Sequence, residues 1–260
     1  MSKLQEGNCA LEANEQRQLP IYRTHTNGEL EEVSMIKRFD KVDGSYVEKL
    51  YGQDRYGYSK SDTIDFYDLV ELAKEGISRG SVVLIYDFEK GKVYTPFEKQ
   101  NNIVYGDPVY VEKFIYFLQC DYNKKRISLY RYLPEKILEK VAELNLDDLN
   151  PYNLHIVGNP LYIISQEAGE GFRCYYPTEF FFPLKHNESV IFIEDGKVYI
   201  EAWIEEGWDD ENNCATDDYK YYDKIIVKDF AGITVELSNP YKSVQDFAHE
   251  LSLLYQNRAV

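Results

Sequence analysis

Residues 81–94 read SVVLIYDFEKGKVY, and residues 189–199 read SVIFIEDGKVY. Each stretch has a run of β-branched and other apolar residues, a turn that contains glycine, and a second short apolar run. This order is typical of a β-hairpin, in which a tight turn joins two antiparallel strands. A weaker form of the same pattern occurs earlier in the chain, at residues 35–47, MIKRFDKVDGSYV. The chain is therefore predicted to be mainly β and to be built from repeated antiparallel meander sheets.

The composition agrees with this fold class. Tyrosine occurs 24 times in 260 residues and aromatic residues make up 15% of the chain, and such side chains favour pleated, half-buried surfaces. A hydrophobic content of 44% with 28% charged residues is typical of a folded globular protein. We expect a mobile tail over residues 1–20 and a single β-rich domain over 21–260, with a sub-boundary near 98–102 as the alternative.

A second pair of similar segments suggests a longer repeat. Residues 106–111 read GDPVYV and residues 158–163 read GNPLYI, so that their tyrosines are 52 residues apart. A spacing of this size is typical of proteins with one sheet per repeat. The alternative is that separate hairpins use the same turn residues for local reasons.

The predicted strands between residues 103 and 237 fall into three groups of four. The groups are 103–105, 108–120, 126–133 and 138–144; then 154–157, 160–166, 172–176 and 179–184; then 190–194, 197–204, 221–229 and 233–237. In this spacing the chain resembles the meander blades of WD40 and TolB-like β-propellers. The resemblance implies either a propeller-like ring, to which the N-terminal hairpins add sheets, or an open β assembly.

Two segments have helical rather than β periodicity. Ser61 and Asp62 precede apolar residues at helical spacing that end at Gly76, which predicts a helix near 62–76. Ser243 precedes a one-sided apolar pattern, which predicts a C-terminal helix near 243–257. We expect this apolar face to pack on the same chain, and docking of a partner is the alternative.

The charge balance limits the classes of partner. Lys and Arg number 29 against 45 Asp and Glu, which gives a formal net charge of −16. This charge repels phosphate backbones and anionic headgroups, so we expect no nucleic-acid and no membrane partner. The first nineteen residues lack the apolar core of a secretory signal, which favours a cytoplasmic location.

The motifs of common enzyme classes are missing from the sequence. It contains no GxSxG, Walker or GxGxxG pattern, and its four cysteines form no CxxC pair. We therefore assign no catalytic residue and no cofactor. The charge favours a non-enzymatic module that binds a partner with a basic surface, and an immunity-type binder of a basic protein is one concrete form of it.

The alternative function depends on residues 201–223, where acids and aromatic residues are mixed. Such a mixture is typical of a carbohydrate-binding protein or a hydrolase, in which one carboxyl protonates a leaving group and a second acts as base or nucleophile. The candidate residues are Glu201, Trp203, Glu205, Trp208 and Asp223.

The same segment carries candidate oxygen ligands for Ca²⁺, namely Asp209, Asp210, Asp217 and Asp218. The EF-hand register fails, because counting from Asp209 places Cys214 at the glycine position and Lys220 at the glutamate position. A solvated acidic loop over residues 205–218 is therefore the default interpretation.

Overall fold

Strands dominate the part of the chain that the computed structural model describes, which comprises residues 19–24, 30–36, 39, 46–167, 169–209 and 211–237. The elements in chain order are β1 Leu19–Thr24, β2 Leu30–Ile36, β3 Glu48–Lys49, β4 Tyr56–Lys60, α1 Phe66–Lys74, β5 Val83–Asp87, β6 Lys92–Tyr94, β7 Ile103–Tyr105, β8 Val109–Val111, β9 Phe114–Asp121, β10 Arg126–Leu133, β11 Ile137–Asn145, a 3-10 turn at Leu146–Asp148, β12 His155–Val157, β13 Tyr162–Glu167, β14 Gly171–Tyr176, β15 Phe180–Phe182, β16 Glu188–Glu194, β17 Lys197–Asp209, β18 Cys214–Asp229 and β19 Thr234–Leu237.

These strands form four larger antiparallel sheets and one separate hairpin, β1–β2. The first sheet has the order β3-β4-β5-β6, and the second has the order β11-β10-β9-β7, with β8 also paired to β9. The third has the order β12-β13-β14-β15 and the fourth β16-β17-β18-β19. The prediction of a mainly β fold made of repeated meander sheets is confirmed.

Three apolar clusters of described residues hold the sheets together. The first joins the first two sheets, for example through Ile85 and Phe117. The second joins the second and third sheets through Leu129 and Ile163, and the third joins the third and fourth through Phe172. The four sheets therefore stack in chain order, with apolar side chains between each successive pair.

Helix α1 lies inside the predicted range 62–76 but begins later than Ser61 and Asp62 predict. Ser61 instead continues the pairing of β4 with β5, because its N–H donates to Val82 O at 3.0 Å and its Oγ accepts from Val82 N at 3.0 Å. The helix ends as predicted: Gly76 has φ +72° and donates to Ala73 O. The predicted C-terminal helix and residues 1–18 of the predicted tail lie outside the described residues.

Both hairpins that predicted the fold are present, as β5–β6 and β16–β17. The single strand predicted over 108–120 is wrong, because it is two strands, β8 and β9. They are joined by Glu112 and Lys113, which have φ of +48° and +72°. A two-residue turn with positive φ at both positions suits the twist of antiparallel strands, but it usually contains Gly or Asn. Since neither residue is one of these, the sequence carried no sign of the turn.

A cavity of about 690 Å³ lies where the four sheets approach one another. Strands of all four sheets line it: β3 and β4 of the first sheet, β8 of the second, β12 of the third and β16 of the fourth. The side of the assembly that holds these strands therefore surrounds a cavity that is open to solvent on one side.

Candidate functional site

The longest hairpin, β17–β18, extends beyond the rest of its sheet. Strand β16 pairs with β17 only as far as Ala202, and β19 pairs with β18 only as far as Ile226. Strands β17 and β18 continue to pair with each other out to Asp209 and Cys214. We call residues 203–223 the β-arm. It is a two-stranded ribbon that continues the two central strands of the fourth sheet beyond their neighbours.

Local interactions explain why this acidic segment forms a hairpin. Asp209 ends β17, and its Oδ1 accepts the N–H groups of Glu211 and Asn212 at 3.0 and 3.1 Å. A side-chain oxygen that accepts backbone N–H groups two and three residues on is a common way to form a turn. Gly207 has φ +74° and lies at a register shift between the strands, where a Cβ would come within 2.9 Å of the Asp218 backbone. Only glycine fits that position without displacing the opposite strand.

The interpretation of residues 205–218 as a loop is wrong for all described residues but the turn at 211–213. Tyrosine hydroxyls on β18 pair with carboxylates on β17 and hold the ribbon together. Tyr219 donates to Glu205 at 2.7 Å, and Tyr222 donates to Glu206 at 2.8 Å. Cross-strand pairs of this kind stabilise a hairpin, and they join residues that are 14 and 16 positions apart in sequence.

Four of the five predicted binding residues share one face of the hairpin. Glu201, Trp203 and Glu205 alternate along β17, and Asp223 lies directly opposite Trp203 on β18. Alternate residues of a strand, and residues directly opposite across an antiparallel pair, point to the same side. Trp208 lies farther out, beyond Gly207, and forms an edge-to-face contact with Tyr219 at 6.1 Å.

Trp203 is held in place at the base of the β-arm. Its backbone N–H donates to the backbone O of Asn187 at 3.1 Å, and Asn187 Nδ2 donates to the backbone O of Trp203 at 2.7 Å. Its ring stacks on Tyr221 with centroids 6.4 Å apart and an interplanar angle of 17°, and His186 contacts it edge-on at 5.6 Å. The stacked pair is nevertheless open to solvent, since Trp203 is 38% and Tyr221 59% exposed.

The charge of the protein is concentrated here. Residues 203–223 contain eight acids and one lysine, so the β-arm carries seven of the sixteen net negative charges of the chain. The exposed aromatic faces therefore lie in a strongly negative local field.

Two carboxyls at the base of the arm interact. Glu201 is half-buried, and burial, followed by the nearby charge of Asp223, raises its pKa above the usual range. A carboxyl with a raised pKa stays protonated to higher pH and is able to donate a proton. Glu201 and Asp223 are diagonal neighbours on one face.

The predicted Ca²⁺ ligands are only partly described. Both oxygens of Asp209 already accept hydrogen bonds within the turn, Oδ2 from Asn212 Nδ2 at 2.7 Å. Asp217 and Asp218 lie in the stretch of β18 between Ala215 and Lys220 that has no register partner on β17, and both side chains are exposed. Among the described residues, which exclude Asp210, no group of three or more His, Cys, Asp or Glu is placed to hold a metal. Calcium binding stays a prediction.

The described thiols fall into two classes. Burial raises the pKa of Cys120 to about 12 and that of Cys174 to about 11, which keeps both in the unreactive thiol form at neutral pH. Cys214, beside the turn of the β-arm, is exposed.

No protein-family model matches the chain, and no curated protein matches it in sequence. No helix in the described part of the chain is both long and apolar enough to cross a membrane. The function is therefore inferred from the geometry alone.

The sequence predictions missed the cavity between the sheets and the polar residues at its wall, Glu48, Tyr58 and Asp107. Glu48 and Tyr58 are paired residues of β3 and β4, Asp107 lies in the loop between β7 and β8, and the three share no motif. Asp107 comes close to the other two only when the first and second sheets pack together.

Proposed function

We propose that this protein is a binding module that docks a partner with a basic surface through the β-arm. The observation that carries the proposal is that β17 and β18 extend past both neighbouring strands and present exposed aromatic rings among acidic side chains. The contact would be a protein contact, because −16 in net charge disfavours nucleic acid.

The chemistry of the arm suits lysine and arginine side chains. A cation placed over the face of Trp203 or Tyr221 gains cation–π attraction of about 0.5–2 kcal/mol. Carboxylates on the same face, such as Asp223, are placed to bind the same cation. The negative field of the arm also speeds encounter with a basic partner, and this effect weakens as the salt concentration rises.

The scaffold in this proposal is propeller-like. Its support is that four meander sheets stack in chain order and that the first and the fourth both contribute to the walls of one cavity. Such a stack would be a rigid base for the projecting arm. An immunity-type protein, which masks a basic partner with an acidic surface, is one form that this architecture suits.

The proposal is tested by removing charge from the arm without disturbing its contacts. The triple variant Glu211→Gln, Asp217→Asn, Asp218→Asn neutralises three exposed acids of the arm. The matched control is Glu75→Gln, Glu98→Gln, Glu170→Gln, which neutralises three exposed acids elsewhere. Binding of short arginine-rich and lysine-rich peptides is measured by calorimetry at low and moderate salt.

We expect the arm variant to raise the dissociation constant about tenfold, which corresponds to about 1.4 kcal/mol, and the control variant to change it less than twofold. Equal losses in the two variants would mean that net charge alone attracts the peptides, and docking at the β-arm would be refuted.

A second candidate function rests on Glu201 and Asp223. Diagonal neighbours across a strand pair lie about 7–8 Å apart, and the two carboxyls of a glycosidase lie about 5–10 Å apart. Glu201, whose pKa is raised, would be the acid, and Trp203 on the same face would stack on a sugar ring. Hydrolysis of aryl glycosides that is lost in Glu201→Gln and kept in Glu205→Gln would support this function. No turnover and no thermal shift with any oligosaccharide would exclude it.

A further inference from the structure

The cavity between the four sheets has the dimensions of a small-molecule site. Its volume is about 690 Å³, and pockets that bind small organic ligands measure about 300–1,000 Å³. It is a separate site from the β-arm, because none of residues 203–223 lines it.

The walls of the cavity are mostly apolar and partly aromatic. Leu50 and Ile156 are buried side chains on opposite sheets, and Tyr58, Tyr110 and Phe192 supply aromatic rings from three different sheets. Walls of this kind bind the hydrocarbon part of a ligand.

Three charged side chains also line the cavity, two acidic and one basic. Two of the three form ion pairs with residues outside the lining. Lys49 forms an ion pair with Asp54, and Asp107 forms one with Lys60 at 2.8 Å. The third is Glu48. It has no ion-pair partner among the described residues, and its Oε2 accepts a hydrogen bond from the Tyr58 hydroxyl at 3.0 Å.

The wall therefore has one negative charge that no described cation balances. Tyr58 stays a hydrogen-bond donor to Glu48 at neutral pH, because burial, Asp107 and Glu48 together raise the pKa of its phenol. The hydrogen bond fixes one oxygen of Glu48 and leaves the second available for a ligand.

We propose that this cavity binds a small organic ammonium compound, with its hydrocarbon part against the apolar walls and its ammonium group at Glu48. A carboxylate or phosphate ligand would be repelled by Glu48, and Lys49, which also lines the cavity, is already paired with Asp54. A neutral ligand would gain only the apolar contacts. A cation also gains attraction from the faces of the tyrosine rings.

Three probes with the same hydrocarbon part test the charge preference: 4-phenylbutylammonium, 4-phenylbutanol and 5-phenylpentanoate. Dissociation constants are measured by calorimetry on the full chain. We expect the ammonium compound to bind about tenfold more tightly than the alcohol and the carboxylate to bind most weakly.

Two variants test the location of the site. Glu48→Gln keeps an acceptor for Tyr58 and removes only the charge, so the preference for ammonium over alcohol should fall to about twofold. Its matched control, Glu112→Gln, removes an exposed charge in the β8–β9 turn and should keep the preference. Ile191→Trp places a large side chain into the cavity from a register shift in β16 and should abolish binding of both compounds, while circular dichroism confirms the fold.

Equal affinity for the three probes, no binding of any of them, or binding that persists in Ile191→Trp would each overturn the proposal. The β-arm triple variant should bind the ammonium compound normally, so that this site and the proposed docking function succeed or fail separately.

Discussion

Arg55 binds the buried carboxylate of Asp87 with two nitrogens: Nη2 lies 2.8 Å from Oδ2, and Nε lies 3.1 and 3.2 Å from the two oxygens. Asp87 Oδ1 also accepts the backbone N–H groups of Glu89 and Lys90 in the β5–β6 turn. The ion pair thus links the start of β4 to the turn of the hairpin that predicted the fold.

Removing the charge of Asp87 should destabilise the protein. Asp87→Asn leaves the guanidinium of Arg55 without its carboxylate, and breaking a well-buried ion pair lowers the free energy of unfolding by about 3 kcal/mol. Because Arg55 is partly exposed, we expect a smaller loss of about 2 kcal/mol. Urea unfolding monitored by circular dichroism measures the change. The control is Asp54→Asn, whose side chain is 94% exposed, and equal destabilisation in the two variants would contradict the role of Asp87.

The same pair should make stability depend on acid pH. Burial alone would raise the pKa of Asp87, but hydrogen bonds from Arg55 and two backbone N–H groups outweigh it and hold that pKa below its ordinary value. A carboxyl with a depressed folded pKa stabilises the fold above its unfolded pKa of about 3.9, and this contribution is lost as the pH falls through the folded pKa. Between pH 5 and pH 2, the wild-type protein should therefore lose more stability than Asp87→Asn. Parallel pH curves for the two proteins would rule this linkage out.

The pairing of the β-arm should depend on Gly207. Gly207→Ala combines a positive φ with a clash against the Asp218 backbone, so we expect faster hydrogen exchange of the amides in residues 203–223 and an unchanged melting temperature. Gly76→Ala has a similar φ and nothing within 4 Å of the added Cβ, and it should leave exchange in the arm unaltered. Normal protection of the arm in Gly207→Ala would show that the register shift does not need glycine.

Tryptophan fluorescence, excited at wavelengths that tyrosine does not absorb, should report on the arm alone, because both tryptophans of the chain lie in it. Titration with an arginine-rich peptide should change the emission, and Trp203→Phe should remove most of that change, since Trp203 stacks on Tyr221 among the acids. Trp208→Phe is the matched control. A peptide that binds without altering the emission of either tryptophan would place docking elsewhere.

Thiol reactivity should follow burial. In a Cys9→Ser background, a disulfide reagent should label Cys214 rapidly and leave Cys120 and Cys174 unlabelled until the protein unfolds, because burial raises the pKa of both of these thiols. Rapid labelling of more than one thiol in the native protein would show that a core cluster opens. The Cys214→Ser variant should remove the fast phase.

The sequence alone determined the β class, both decisive hairpins and the end of helix α1. These features have local causes: Gly91 and Gly196 have the positive φ that their turns require, and Gly76 ends the helix in the same conformation. The negative charge of residues 201–223 and their mixture of acids and aromatic side chains are likewise evident from the sequence. The projection of this segment as a paired ribbon is not.

Tertiary structure decided the rest, because it depends on residues far apart in the chain. A run of acids is typical of a loop, yet Tyr219 and Glu205 pair across a hairpin and make it a strand. The cavity is formed by strands of four different sheets, and no local pattern specifies how those sheets stack. Local backbone preferences are encoded in neighbouring residues, whereas register and packing are determined by contacts that exist only when the chain has folded.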